Sequence, residues 1–291
     1  MAKIILPNVR KFFVPDPGML LCEADLEGAD AQIVAWEAND EDLKKAFRSK
    51  IKLHLKNARD VYPQTVNMTD DEILATNKPK GMYYNCKRRV HGYNYGSSTK
   101  TMAQTLRSTI IEEEAFKAKW FSLHPGIAEW HRRTQHQLYG IQCWKCDTVV
   151  ENVAKKCPNC NSHLGITVRN KFGYRILYFN YIEGLLPQAL AWIPQSSVAI
   201  NCLKGGVALE DTYPWIEMLL QVHDSLVFQF PLHYADRIPE IHQTLRSVTV
   251  PYPDPLNIDW GFAVSGKSWG DAKEHYDIEK ELARGRETAE V

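Results

Sequence analysis

No apolar run in this chain approaches the length of a membrane span, and the opening MAKIILPNVRKFF is too short in apolar residues for a signal peptide. These absences point to a cytoplasmic protein. There is no internal repeat and no low-complexity segment, so solenoid and disordered architectures are set aside. Neither sign of charge is in excess: 35 Lys and Arg stand against 35 Asp and Glu. A balanced total gives no hint of a polyanionic partner, although it can conceal a basic face if the acids cluster elsewhere. A disulfide framework is lacking too. Of seven cysteines, Cys22, Cys86 and Cys202 stand alone and read as small buried residues, while four fall in two tight pairs. What remains is a globular composition, 44% hydrophobic and 24% charged, over 291 residues, enough for one large domain or two of ordinary size.

The pattern along the chain is α+β, with strands at both ends and helices between. A Pro-Gly turn precedes an apolar strand that ends at Glu23 and Asp25, and 28–48 reads as one helix. DDEILATNKPK is a short helix stopped at Pro79. Residues 81–97 form a basic, aromatic segment, helical at its start, and helical patterns follow through TKTMAQTL and EEEAFKAKWFSLHPGIAEWHRRTQHQLYG. ITVRNKFGYRILYF is a hairpin with Gly173 near its turn, and GLLPQALAWIPQSSVAINCLKGGVAL is a long apolar helix. A strand pair at 219–230, a helix at YADRIPEIHQTLRS, a last strand at LNIDWGFAV and a charged, frayed helical tail from 273 complete the chain.

CWKCDTVVENVAKKCPNC (143–160) has two Cys-x-x-Cys pairs ten residues apart. Thiolates at that spacing sit on two turns and close a tetrahedron around one zinc ion, with Cys143, Cys146, Cys157 and Cys160 as ligands. Four thiolates leave no open position, so the site is structural. Lys145, Lys155 and Lys156 beside it either face nucleic acid or are simply solvated.

Residues 219–230, LLQVHDSLVFQF, place His223, Asp224 and Ser225 inside an apolar frame. An ionised carboxylate there is expensive unless paired. A hairpin turn accounts for it, and also holds the carboxylate at the end of two rigid strands. Asp25 closes another apolar strand, 199 positions earlier (224 − 25). If the two converge, they form a site for hard divalent cations, and a two-metal site of this kind serves phosphoryl displacement.

Four stretches resemble, in order, the motifs of family A (Pol I-like) DNA polymerases. CEADLEGADAQIVAWEANDEDL (22–43) resembles the first palm motif, and CKRRVHGYNYG (86–96) the fingers helix, with Lys87, His91, Tyr95 and Gly96 at its spacing. WIPQSSVAINCL resembles the helix with a template-side Gln, here Gln195, and QVHDSLVFQFP the last palm motif. The resemblance covers roughly residues 5–270. It implies a right-hand palm with an antiparallel sheet (1–50 and 166–272), helical fingers (51–140), a zinc-ribbon-like insert (141–165) and a charged tail (273–291). It further implies two magnesium ions on Asp25 and Asp224 with the Leu26 carbonyl as a further ligand. Lys87 would meet the incoming triphosphate, His91 stack on the nucleotide and Tyr95 pack near the nascent pair. Asp30 would stand at the sugar gate, and Gln195 and His223 would touch the nascent pair and primer terminus.

The implied activity is 5′–3′ DNA synthesis from primer-template and dNTPs by a bacteriophage-type enzyme acting in the host cytoplasm. Departures accompany it. Tyr83 stands where an Arg is usual, Asp30 where a Glu is usual, and Ser225 where a second Glu is usual; the cysteine insert is an addition. Thumb and exonuclease have no counterpart in the chain, so an N-terminal partner chain is expected to supply them. A catalytically weakened binding module that recruits DNA or replication proteins is the alternative. A metal-dependent nuclease would leave the fingers motif unexplained.

Overall fold

The computed structural model describes residues 7–150, 155–165, 167–178 and 184–273. After a 3-10 turn at Val9–Phe12, strand β1 (Met19–Leu26) buries Leu20, Leu21, Cys22, Ala24 and Leu26, apolar on both faces as a central strand requires. The stretch expected as one helix is two, α1 (Ala29–Glu37) and α2 (Glu41–Arg48). Asn39 is left-handed, and Asp40 caps α2 by accepting the Leu43 N–H at 3.0 Å. A capping Asp followed by Glu41 and Asp42 favours a new helix start over continuation.

Helix α3 (Leu53–Val61) leads through a 3-10 turn into α4 (Asp70–Leu74), which opens on a Thr69–Glu72 capping box and ends before Pro79. The basic, aromatic segment is helical to Asn94 and not only at its start: α5 spans Met82–Asn94. Gly96, at φ +74°, follows it where a Cβ would lie 3.2 Å from Leu190. After α6 (Thr99–Leu106), the next helical pattern divides into α7 (Ile110–Leu123) and α8 (Pro125–Leu138). Pro125 lacks an N–H and suits the first turn of a new helix. A buried ion pair ties α5 to α7: the Arg89 guanidinium donates to Glu113 at 2.6 Å, and the Tyr93 hydroxyl donates to the same carboxylate at 2.7 Å.

The expected hairpin is present as β2 (Thr167–Arg169) and β3 (Arg175–Leu177), and the long helix as α9 (Leu185–Thr212) with Pro194 inside it. Strands β4 (Glu217–Val222) and β5 (Ser225–Pro231) form the second hairpin, followed by α10 (Ile238–Arg246). A two-residue strand β6 (Thr249–Val250) pairs with β7 (Leu256–Asn257), and β8 spans Trp260–Ser265. LNIDWGFAV is thus two strands. Asp259 separates them, with its carboxylate accepting the Trp260 N–H at 3.1 Å and lying 2.8 Å from His242 Nε2. The frayed helix expected in the tail lies, from residue 274, outside the described residues.

Residues divide into two compact units, 1–29 with 198–291, and 30–197. The first holds an antiparallel sheet in the order β4-β5-β1-β8. Helix α9 approaches that sheet closely at Gly205, where an added Cβ would lie 3.0 Å from Leu245 and 3.1 Å from Trp260. Elsewhere in this unit Leu21 and Val227 pack with Trp269, which Phe13 meets edge-on at 5.7 Å. The second unit is helical, with α3, α5 and α7 packed together and the β2–β3 hairpin against α8. No helix among the described residues is long and apolar enough to cross a membrane.

Candidate functional site

Asp25 lies opposite Ser225 in the β1–β5 register, and the Leu26 N–H donates to the Asp224 carbonyl at 3.1 Å. The two aspartates therefore meet where a central strand and a hairpin end together. His223 turns the hairpin at φ +56°, a conformation uncommon outside glycine. Its carbonyl accepts the Gln221 amide at 2.7 Å, and the Ser225 hydroxyl donates to the Val222 carbonyl at 2.9 Å. Ser225 thus braces the turn.

Partial loss of hydration, then the charges of Asp224 and Glu23, push the Asp25 carboxyl up to about 6 against the pull of Arg10. Buried Cys202 on α9 lies near both aspartates: burial, then Asp224 and Asp25, push its thiol up to about 12. Two carboxylates at one strand end, with Asp25 exposed and Asp224 half-buried, are an all-oxygen donor set that fits divalent cations.

In the helical unit, Lys87, His91 and Tyr95 recur at four-residue intervals along α5 and its C-terminal cap, so they share one face. The His91 and Tyr95 rings meet edge-on, with centroids 4.7 Å apart. Tyr95 donates its hydroxyl to Asp30; burial first, then the Asp30 charge, raise its pKa. His91 is held below the usual imidazole range by desolvation and by Lys87 and Arg88, against the opposing pull of Asp30. Lys87 and His91 are exposed, and Gln195 is exposed on α9 of the same unit. The neighbouring arginines are engaged elsewhere: Arg89 is held by Glu113, and Arg88 lies over the Tyr84 ring at 5.2 Å.

His54 on α3 joins this group without any signature in the sequence, where a lone histidine at a helix start says nothing. Its ring meets Tyr83 edge-on at 6.4 Å, and its buried Nδ1 has no hydrogen-bond partner among the described residues. Burial, then Lys87 and His91, hold its pKa down at about 4. The unfolded chain takes up this proton as pH falls below about 6.5, while the folded chain does not until about 4. Stability contributed by neutral His54 is therefore lost as pH falls through that window. Between pH 7 and pH 5 this amounts to about 2 kcal/mol. Urea unfolding of His54→Gln is expected to show a correspondingly shallower acid loss, and a loss equal to wild type would refute it.

The four paired cysteines form a second centre in the same unit. Each pair sits on one of two equivalent turns. The Cys143 N–H donates to the Thr148 carbonyl at 2.9 Å, the Cys157 N–H to Ser162 at 2.8 Å, and Asp147 and Asn161 take the left-handed position in each. Asp and Asn tolerate that conformation best among residues with a side chain. The Sγ atoms of Cys143 and Cys160, and of Cys146 and Cys160, are 3.5 Å apart, and those of Cys146 and Cys157 are 3.6 Å apart. A tetrahedron with zinc–sulfur bonds of about 2.3 Å has edges of about 3.8 Å, so the set fits zinc. Hydrogen bonds from Thr148 lower the Cys146 thiol and those from Ser162 lower Cys160, while burial raises Cys143.

Residues 4–148 match the sequence model of DNA polymerase family A. The chain is 22% identical over 273 residues to DNA polymerase I of Geobacillus stearothermophilus, covering 91% of this chain and 28% of that protein. It is 24% identical over 272 residues to the thermostable DNA polymerase I of Thermus filiformis, covering 92% and 29%. Its span is thus less than a third of the length of these relatives. The fold is similar to that of the POL domain of Pol1 from M. smegmatis, solved in complex with DNA primer-template and dNTP. The TM-score is 0.67 at 20% identity, over 91% of this chain and 42% of that chain.

Proposed function

We infer, from the premise that this chain carries a family A DNA polymerase domain, that it catalyses template-directed nucleotidyl transfer onto a DNA primer. The observation that carries this reading is the meeting of Asp25 and Asp224 at the β1–β5 end, where one carboxyl is pushed up to about 6 partly by the other. These two carboxylates, with the Leu26 carbonyl, would hold two magnesium ions. When bound, such a pair stabilises the attacking and leaving oxygens of a phosphoryl displacement. The primer 3′-oxygen attacks the α-phosphorus of the dNTP, and pyrophosphate leaves.

Lys87 is a point charge for the triphosphate, and its place one turn from His91 sets phosphate and base contacts on one helix face. His91 stacks on the incoming nucleotide. Tyr95 packs at the nascent pair, held there by its hydroxyl's bond to Asp30, so the gate against a ribose hydroxyl is a fixed Tyr–Asp pair. Gln195 and His223 contact the nascent pair and the primer terminus. Grip on the duplex comes from a partner polypeptide that seats on the segment where Val9 (65%), Phe12 (74%) and Val14 (62%) are exposed, a patch of apolar surface that supports a protein contact.

Primer extension with magnesium, with and without a co-encoded upstream polypeptide, tests the reading. Slow extension by this chain alone and restored extension with the partner are the expected results. Lys87→Ala is expected to slow single-nucleotide incorporation about a hundredfold, the size of effect seen when one charge-stabilising contact is removed. No extension under any of these conditions, from a folded chain, would overturn it.

A further inference from the structure

The site described above makes no use of the basic residues that surround the cysteine cluster. Residues 141–177 contain six of them, Lys145, Lys155, Lys156, Arg169, Lys171 and Arg175, against Asp147 and Glu151, in a chain whose totals are equal. A zinc ion on four thiolates carries a net charge of −2, and that accounts for part of the excess. Residues 167–177 have no such account: the hairpin holds three basic residues and no acid.

Ribbon and hairpin are joined into one surface. The Arg169 guanidinium lies over the Trp144 ring, 3.7 Å from its centroid, and Trp144 Nε1–H donates to the His163 carbonyl at 3.0 Å. His163 bridges to Lys156, and Arg169 stands opposite Arg175. A continuous strip therefore runs from Lys156 through His163, Trp144 and Arg169 to Arg175. Desolvation and then Arg175 lower the Arg169 pKa, the mark of cations held side by side. Among the described residues, no carboxylate forms an ion pair with Lys155, Lys156 or Arg175, and all three are exposed. Tyr174, 56% exposed, stands at the end of the hairpin. Like charges held together on two rigid turns and a hairpin, beside an exposed aromatic ring, are stabilised by a polyanion that offers phosphates and flat bases.

We propose that the ribbon and the β2–β3 hairpin form a DNA-binding surface, in which Lys155, Lys156 and Arg175 contact backbone phosphates and Tyr174 offers its ring to an unpaired base. Zinc has a positioning part, fixing the turns that carry the lysines. The choice of DNA as the polyanion rests on the polymerase reading; the basic strip does not.

Fluorescence anisotropy of labelled duplex and single-stranded oligonucleotides, with the zinc-loaded full chain between 50 and 200 mM salt, tests it. The triple variant Lys155→Ala, Lys156→Ala, Arg175→Ala is expected to bind about tenfold or more weakly. Its slope of log affinity against log salt should fall by about 0.9 per lost duplex contact, or about 0.7 on single strands. A stronger preference for single strands that Tyr174→Ala removes would assign the stacking part. Wild-type affinity and slope in a triple variant of unchanged zinc content would overturn the proposal. If the triple variant loses zinc, Arg175→Ala alone decides, since it lies on the hairpin: its slope falls by about 1 or the proposal fails. Incorporation at saturating DNA is read separately. Binding through this surface without incorporation would sink the polymerase reading and keep this one; incorporation with unchanged binding in the variants would do the reverse.

Discussion

Asp224→Asn is expected to reduce nucleotide incorporation by about three orders of magnitude or more while leaving the metal-free chain as stable as wild type, or more stable. The two effects have opposite signs for one physical reason. Without a cation, ionised Asp25 and Asp224 repel each other, and at neutral pH Asp25 is charged despite a pKa pushed up to about 6. Removing one charge relieves that repulsion. With cations bound, the same charge is half of the carboxylate pair, and each 1.36 kcal/mol of lost transition-state stabilisation is a factor of ten in rate. Asp25→Asn is expected to behave alike. A thermal shift series with magnesium supplies a readout apart from activity: wild type should gain stability with ion concentration, and the variants should gain less. A large drop in the melting temperature of metal-free Asp224→Asn would show a structural role instead, and near-normal incorporation would remove the site from the reaction.

The second large effect concerns zinc. One zinc per chain is expected, and Cys157→Ser or a strong chelator should release it and unfold the ribbon while the β4-β5-β1-β8 sheet remains. The buried cluster of this element is Cys143, Cys157 and Leu164, with Cys146, Val150 and Cys160 packed against it. Four of those six side chains are the ligands themselves, so little apolar core remains when the metal is gone. In structural zinc sites the binding free energy, about 10–16 kcal/mol at neutral pH, is largely folding free energy. Acid should release the metal as well, because thiolates must take up protons. Hydrogen exchange read residue by residue, alongside elemental analysis, separates the cases. Protection lost only around residues 141–165 is the expected pattern; loss throughout the sheet, or a purified chain without zinc, would contradict it.

Several features were legible in the sequence because their determinants are local. The two Cys-x-x-Cys pairs carry their geometry in six-residue turns, each with an Asp or Asn able to adopt the left-handed position. Lys87, His91 and Tyr95 share a face because a helix returns to it every three to four residues. Asp224 at a hairpin tip follows from a polar interruption between two apolar strands. Even the missed helix breaks were locally encoded, in the capping Asp40 and in Pro125, but the apolar and helix-forming residues on either side read as continuous.

Tertiary structure alone decided the rest. Asp25 and Asp224 are brought together by the β1–β5 register, a pairing between segments that share no local signal. His54 reaches Lys87 and His91 only because α3 packs on α5, and its pKa is a property of that burial. Asp40 is fixed by His124, 84 positions away, at 2.9 Å. Arg169 becomes part of a surface with the ribbon only when it lies over Trp144. Local sequence sets backbone preference and face, through propensity and periodicity. Which charged groups share a space depends on long-range packing, and their electrostatics, hence their chemistry, exist only once that packing has formed.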